Sequence, residues 1–120
     1  MATRLGNVNL FVRDVERSAR FYVEALGLAL NAERSAPPGF ALLEAGGCTL
    51  TLQDGSAPGA AFDQREGVEL GFAVDDVEGA RQRIRECGGA VAEIQQMGWG
   101  GGFDASDPDG HRLTIYRMHG

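Results

Sequence analysis

The chain has 120 residues, enough for one ordinary domain, and 43 % of them are apolar, so it can build a real core. A net charge of −6 and a pI near 4.8 leave no basic face for phosphate, which argues against nucleic acid and against electrostatic docking on anionic lipid. No apolar run approaches the roughly 20 residues that cross a bilayer, and residues 1–6 carry no apolar core of a signal peptide. A cytoplasmic location is the expectation.

Residues 6–13 alternate cleanly. Val8, Leu10 and Val12 point one way, Asn7, Asn9 and Phe11 the other, as in a half-buried strand. Asp14 suits the N-cap of a helix and Glu16 favours its dipole. Val15, Ala19, Tyr22 and Leu26 recur at helical spacing, Phe21 and Ala25 widen the stripe, and Gly27 suits the C-cap. Residues 29–34 leave room for a further strand. Pro37-Pro38-Gly39 breaks the chain, Phe40–Glu44 reads as a strand, and Gly46-Gly47 suits a tight hairpin. Residues 48–53 form the next strand, with Cys48, Leu50 and Leu52 opposite Thr49, Thr51 and Gln53.

Residues 54–67 are rich in Gly, Ala, Pro and charge and read as a linker, with Phe62 its one large apolar residue, an anchor or a lid. A second strand then sets Leu70, Phe72 and Val74 against Glu69, Gly71 and Ala73. Asp76 caps a helix carrying Val77, Ala80, Ile84 and Cys87, which ends at Gly88-Gly89. Residues 91–95 read as a strand, 98–102 as a glycine-rich loop around Trp99, and 103–106 as another strand. Asp107-Pro108-Asp109-Gly110 is a strong turn signal. In the last strand, 111–116, Leu113 and Ile115 oppose Arg112, Thr114 and Tyr116. Cys48 and Cys87, far apart and without a C-x-x-C motif, read as buried reduced thiols.

The chain says nearly the same thing twice. Val12-Arg13-Asp14-Val15-Glu16 returns as Val74-Asp75-Asp76-Val77-Glu78, and Glu24 and Gly27 return as Glu86 and Gly89, an offset of 62 positions (12 to 74). Gly47, Leu50 and Thr51 return as Gly110, Leu113 and Thr114, an offset of 63 (47 to 110). Two modules, 1–53 and 68–120, therefore look like copies. Duplication brings equivalent residues together about a pseudo-twofold axis.

The residues 7–14, then Phe21-Tyr22, then Leu26-Gly27-Leu28, together with Trp99-Gly100 and Asp107-Pro108-Asp109-Gly110-His111, resemble the vicinal oxygen chelate superfamily. That superfamily includes glyoxalase I, extradiol dioxygenases and bleomycin-resistance proteins. The resemblance implies an α+β fold of two βαβββ modules related by pseudo-twofold symmetry. Each would be a mixed sheet with its helix on one face, and the sheets would form a shared cleft. Small members usually form homodimers that share this cleft between chains.

In the metal-dependent members, four His, Gln or Glu ligands come from equivalent strands. The matching positions here hold Asn7, Thr51, Glu69 and Thr114. Asn and Thr offer neutral oxygens that compete poorly with water for a transition metal. No metal and no cofactor is therefore expected, and a hydrogen-bonded group Asn7–Thr51–Thr114–Glu69 is expected in its place. His111 and His119 read as exposed and incidental, and Asp107 and Asp109 as turn formers.

Glu69 is the candidate catalytic acid or base. The candidate ligand-binding residues are Asn7, Asn9, Phe11, Thr51, Glu69, Trp99, Phe103, Arg112, Thr114 and Tyr116, with Trp99 placed to close over a ligand or to pack against the sheet end. The favoured reading is a metal-free binder of a toxic or aromatic small molecule, of the bleomycin-resistance type. A lyase, isomerase or dioxygenase using Glu69 or a non-standard metal site is the first alternative. A non-catalytic interaction module is the second.

Overall fold

The computed structural model describes residues 4–56 and 68–119. Phe62 and most of the expected linker lie outside them. In chain order the elements are β1 (Asn7–Val12), α1 (Val15–Leu26), β2 (Ala29–Leu30), a 3-10 turn (Ala32–Arg34), β3 (Phe40–Glu44) and β4 (Thr49–Asp54). Then follow β5 (Glu69–Ala73), α2 (Val77–Glu86), β6 (Ala90–Val91), β7 (Gln95–Met97), β8 (Gly100–Ser106) and β9 (Arg112–Met118). One sheet runs β1-β4-β3-β2. The other runs β5-β9-β8-β6, with β7 beside β8. The outer two strands at one end, β1 with β4 and β5 with β9, are parallel in both, and the remaining pairs are antiparallel. The fold is the expected α+β pair of βαβββ modules, with the short β7 added.

Both helices begin as the repeat requires. The Asp14 carboxylate accepts from the Arg17 N–H, and its equivalent Asp76 accepts from the Gly79 N–H. These bonds satisfy donors that the first helical turn leaves free. Gly27 ends α1 in the left-handed region, φ 74°, and donates back to Val23 and Tyr22 carbonyls. The alternating apolar sets of β1, β4 and β9 meet the helices in one continuous core. Val12, Leu43, Leu52, Ile84, Leu113 and Ile115 have no accessible surface there. Each such aliphatic side chain is worth about 1.5–3 kcal/mol by burial. The modules also join through the helices: α1 packs on α2, and Arg83 donates to the Ala25 carbonyl. No strand pairing links the two sheets among the described residues.

Three expectations change. Residues 91–95 are not one strand: β6 and β7 both pair with β8, and the chain leaves the ladder between them so that Ile94 packs on the core. The glycines 100–102 are not a loop. They form the start of β8, hydrogen-bonded to β7 on one side and β9 on the other. Their role is close approach: a Cβ at Gly102 would lie 2.3 Å from the Ile115 carbonyl oxygen, and one at Gly100 would lie 2.1 Å from that of Arg117. Finally, Cys48 and Cys87 are half-buried rather than buried, and both are free thiols.

Gly98, in the turn before β8, has open space where a Cβ would go. Gly102→Ala should therefore lose about 1–3 kcal/mol, since a backbone carbonyl cannot move aside, while Gly98→Ala stays close to wild type. Urea denaturation of the two variants tests this; equal losses would show that the glycine run does not set the β8–β9 spacing.

Candidate binding face

The sheet faces turned away from the helices carry most of the side chains the sequence singled out. On the first module, parallel pairing sets Asn7 beside Thr49 and Asn9 beside Thr51. The Thr49 hydroxyl donates to the Asn7 side-chain oxygen at 2.7 Å, and the Asn7 amide donates to the Thr51 hydroxyl at 3.2 Å. The Thr51 hydroxyl donates to the Asn9 oxygen at 2.7 Å, and the Asn9 amide donates to Gln53 at 3.3 Å. The result is an uncharged ladder along β1 and β4 with Phe11 half-buried at its end. Thr49 and Gln53 belong to this ladder although neither was singled out as a site residue.

The second module repeats the geometry with different chemistry. Glu69 and Arg112 occupy the places equivalent to Asn7 and Thr49, and they form an ion pair at 3.8 Å. Both are exposed, so the pair is worth roughly 0–1 kcal/mol. Thr114, the equivalent of Thr51, donates to Asp104 at a long 3.5 Å. Tyr116 lies beside Gly71, where an added Cβ would come into ordinary contact with the ring at 3.5 Å. Within one chain, then, each module pairs its own members. Among the described residues no hydrogen bond joins Asn7 and Thr51 to Glu69 and Thr114, so within one chain the four residues stand as two pairs rather than the expected single group.

Trp99 occupies the turn between β7 and β8, half of its surface exposed at 49 %. Its ring meets Tyr116 edge-on, centroids 6.3 Å apart. Beside it a recess of about 240 Å³ opens on this face, lined by Ala92, Met97, Trp99, Gly102, Asp104 and Thr114 among others. Phe103 is a correction. It pairs directly with Ile115, so its ring shares the helix side and is only 4 % exposed in the core; it closes the recess from behind. A larger apolar recess, about 420 Å³, lies between α1 and the β2–β3 segment, on the helix side and away from these groups.

Metal chemistry fits this face poorly. The four positions supply one carboxylate, and that carboxylate faces Arg112. Thr51 and Asn7 already satisfy each other. A divalent transition metal prefers imidazole, thiolate or carboxylate to such neutral oxygens.

The turn 107–111 departs most from expectation. His111 is buried, not exposed, and Asp107 and Asp109 reach far beyond their own turn. Asp107 accepts from the Tyr22 hydroxyl at 2.7 Å, from the backbone N–H groups of Asp109 and His111, and meets His111 Nδ1 at 2.8 Å. Asp109 accepts from the Ser18 hydroxyl at 2.9 Å and the Arg13 N–H at 3.0 Å, with the Arg13 and Arg17 guanidiniums at 3.5 and 3.7 Å. Burial alone would push the Asp107 carboxyl up, but hydrogen bonds from His111 and Tyr22 hold it below the ordinary carboxylate value. Asp107 is thus ionised at neutral pH, and His111 Nδ1 must carry the proton they share. Burial first, then the Asp107 charge, drives the Tyr22 phenol well above its ordinary value. This network binds the second module's turn to the first module's helix. His111 keeps the parity of Leu113 and Ile115, and Ser18 lies between Val15 and Tyr22 at helical spacing. Those were the signals available in the sequence.

Comparison with known proteins agrees with this architecture. Residues 4–115 match the model of the Glyoxalase/Bleomycin resistance protein/Dioxygenase superfamily, and the chain belongs to that family. No curated protein matches it. A glyoxalase-related enzyme from Fulvimarina pelagi is similar in structure, with TM-score 0.80 and 24 % identity, over 97 % of this chain and 88 % of that one. A family member from Burkholderia phytofirmans has TM-score 0.81 and 20 % identity over 98 % of this chain and 100 % of that one. TnmS3, an antibiotic-binding protein from Streptomyces, has TM-score 0.75 and 25 % identity over 98 % of both chains.

The turn network fixes a pH window for stability. Asp107, with its folded value below 3.8, stabilises the fold above that pH and stops doing so as pH falls through its folded value. Tyr22, raised well above 10.0, contributes its full stabilisation below that pH and loses it progressively as pH rises from there through its folded value. Tyr22→Phe should lose about 1–3 kcal/mol at neutral pH, because Asp107 loses a donor, and should lack the wild-type decline above pH 10. Urea unfolding from pH 3 to 11 measures both; identical alkaline profiles for the two proteins would contradict the network.

Proposed function

We propose that this protein binds a small aromatic molecule without a catalytic metal and without turning it over. The observation that carries this reading is the neutral ladder Thr49–Asn7–Thr51–Asn9–Gln53, in which Asn7 and Thr51 hold two of the positions that match ligands of metal-dependent relatives. Its amides and hydroxyls are fixed in place by one another, which suits orientation of a polar group on a bound molecule. Phe11, Trp99 and Tyr116 supply apolar surface on the same faces. The likeness to an antibiotic-binding protein supports a binding role. Glu69 is exposed and ion-paired with Arg112, so it lacks the burial through which proteins usually turn a carboxylate into a general base.

The ligand lies, in this reading, between the first-module face of one copy and the second-module face of another. The outer edges of β1 and β5 end their sheets unpaired among the described residues. An open strand edge is a template for another chain, and a twofold dimer would bring both pairs of faces together. The free thiols Cys48 and Cys87 suit a cytoplasmic location.

Equilibrium dialysis and mass spectrometry test the proposal with planar aromatic probes. Binding should survive treatment with a strong chelator, and the probe should be recovered unchanged. Loss of binding on chelation, or a chemically altered probe, would overturn it. Sedimentation should give twice the 12.8 kDa chain mass, and ligand binding by a stable monomer would contradict the two-copy site.

A further inference from the structure

The recess beside Trp99 is charged in only one sense. Its ionisable lining groups are Asp104 and Glu93, and no Lys or Arg lines it. Glu93 is occupied by Arg81 at 3.7 Å, and the nearby Arg112 is occupied by Glu69 at 3.8 Å. Asp104 differs. Among the described residues it has no ion pair, and its side chain accepts a long hydrogen bond, 3.5 Å, from Thr114. A carboxylate with spare lone pairs therefore borders a cavity of about 240 Å³.

The opposite wall is aromatic. Trp99 touches Tyr116 with a ring edge, 73° between planes, which leaves indole surface uncovered. The negative face of an indole attracts cations more strongly than any other side-chain ring does. Met97 adds a polarisable sulfur that adapts to flat apolar groups. Gly102 keeps the floor low, since the β9 carbonyl of Ile115 excludes any side chain there.

We propose that this recess is the subsite for a protonated aromatic amine, with Asp104 as counter-charge and Trp99 as ring partner. The inference rests on the small-molecule reading and adds the ligand's charge to it. The cavity admits one or two fused rings. The ammonium or ring N–H of the ligand donates to Asp104, and the ring lies along Trp99. An anion of the same shape meets Asp104 as a like charge and loses that bond.

A matched pair of probes tests this: 4-aminoquinoline, cationic at neutral pH, and quinoline-4-carboxylate, its anionic counterpart. Trp99 is the only tryptophan, so quenching of its fluorescence, checked by calorimetry, reports the recess itself. The amine should bind about tenfold more tightly than the carboxylate, a preference of about 1.4 kcal/mol. Asp104→Asn should remove most of that preference, and Trp99→Leu should weaken the amine, with thermal melting confirming that both variants fold. Equal binding of the two probes, or a preference that survives Asp104→Asn, would overturn the cation subsite. If neither quinoline binds but neutral 2-naphthol does, the subsite is wrong and the small-molecule reading stands. If no aromatic probe binds, both fall.

Discussion

Everything on the two sheets depends on how the buried carboxylates of the turn 107–111 are held. Asp107 and Asp109 sit at one end of the second module, yet their partners Tyr22, Ser18 and Arg13 belong to the first. Burying two carboxylates is costly unless every oxygen finds a partner. Here the described residues leave no buried side-chain polar atom without a hydrogen bond. Such a network is directional, unlike the apolar contact of α1 with α2 beside it. It fixes one helix against one turn, and so the angle at which the two modules meet. A half-domain of this size buries too little surface to stand well alone, and the join is therefore part of the fold itself.

Local physics made most of the architecture legible in the sequence. Asp14 and Asp76 announced both helices, because an N-cap acts over three residues. Alternation set Val8, Leu10 and Val12 on one face of their strand and Leu113 and Ile115 on one face of theirs, because strand faces repeat every second residue, while the resemblance supplied the direction toward the helices. The repeat itself matched Asn7 with Glu69 and Thr51 with Thr114. What was not legible depends on contacts across the chain. Asp109 and Ser18 are far apart in sequence, and nothing near either announces the other. Gly100, Gly101 and Gly102 look like a loop by composition, while their real constraint is the neighbouring β9 backbone. Phe103 was misplaced for the same reason: once the glycines are counted as strand, its pairing with Ile115 sends the ring into the core.

Duplication preserved the geometry of the binding face and let its chemistry diverge. Asn7 with Thr49 is a neutral hydrogen-bonded pair; Glu69 with Arg112, at the same place in the other module, is an ion pair. The first face offers fixed amides and hydroxyls, and the second offers aromatic rings and a spare carboxylate. A ligand meeting both would be oriented by one and selected by the other. No strand pairing joins the two sheets among the described residues, and in the proposed arrangement two copies bring the unlike faces together.

Mixing two crippled variants tests that requirement most directly. One variant carries Thr51→Arg, which blocks the first-module face; the other carries Thr114→Arg, which blocks the second. Each homodimer should fail to bind an aromatic probe that the wild type binds. After subunit exchange, half of the dimers are mixed and each has one site free of both blocks, so about a quarter of the wild-type capacity should return. Recovery to that level is the result the account predicts. No recovery, with subunit exchange confirmed by mass, would show that each site is built within a single chain and would contradict it.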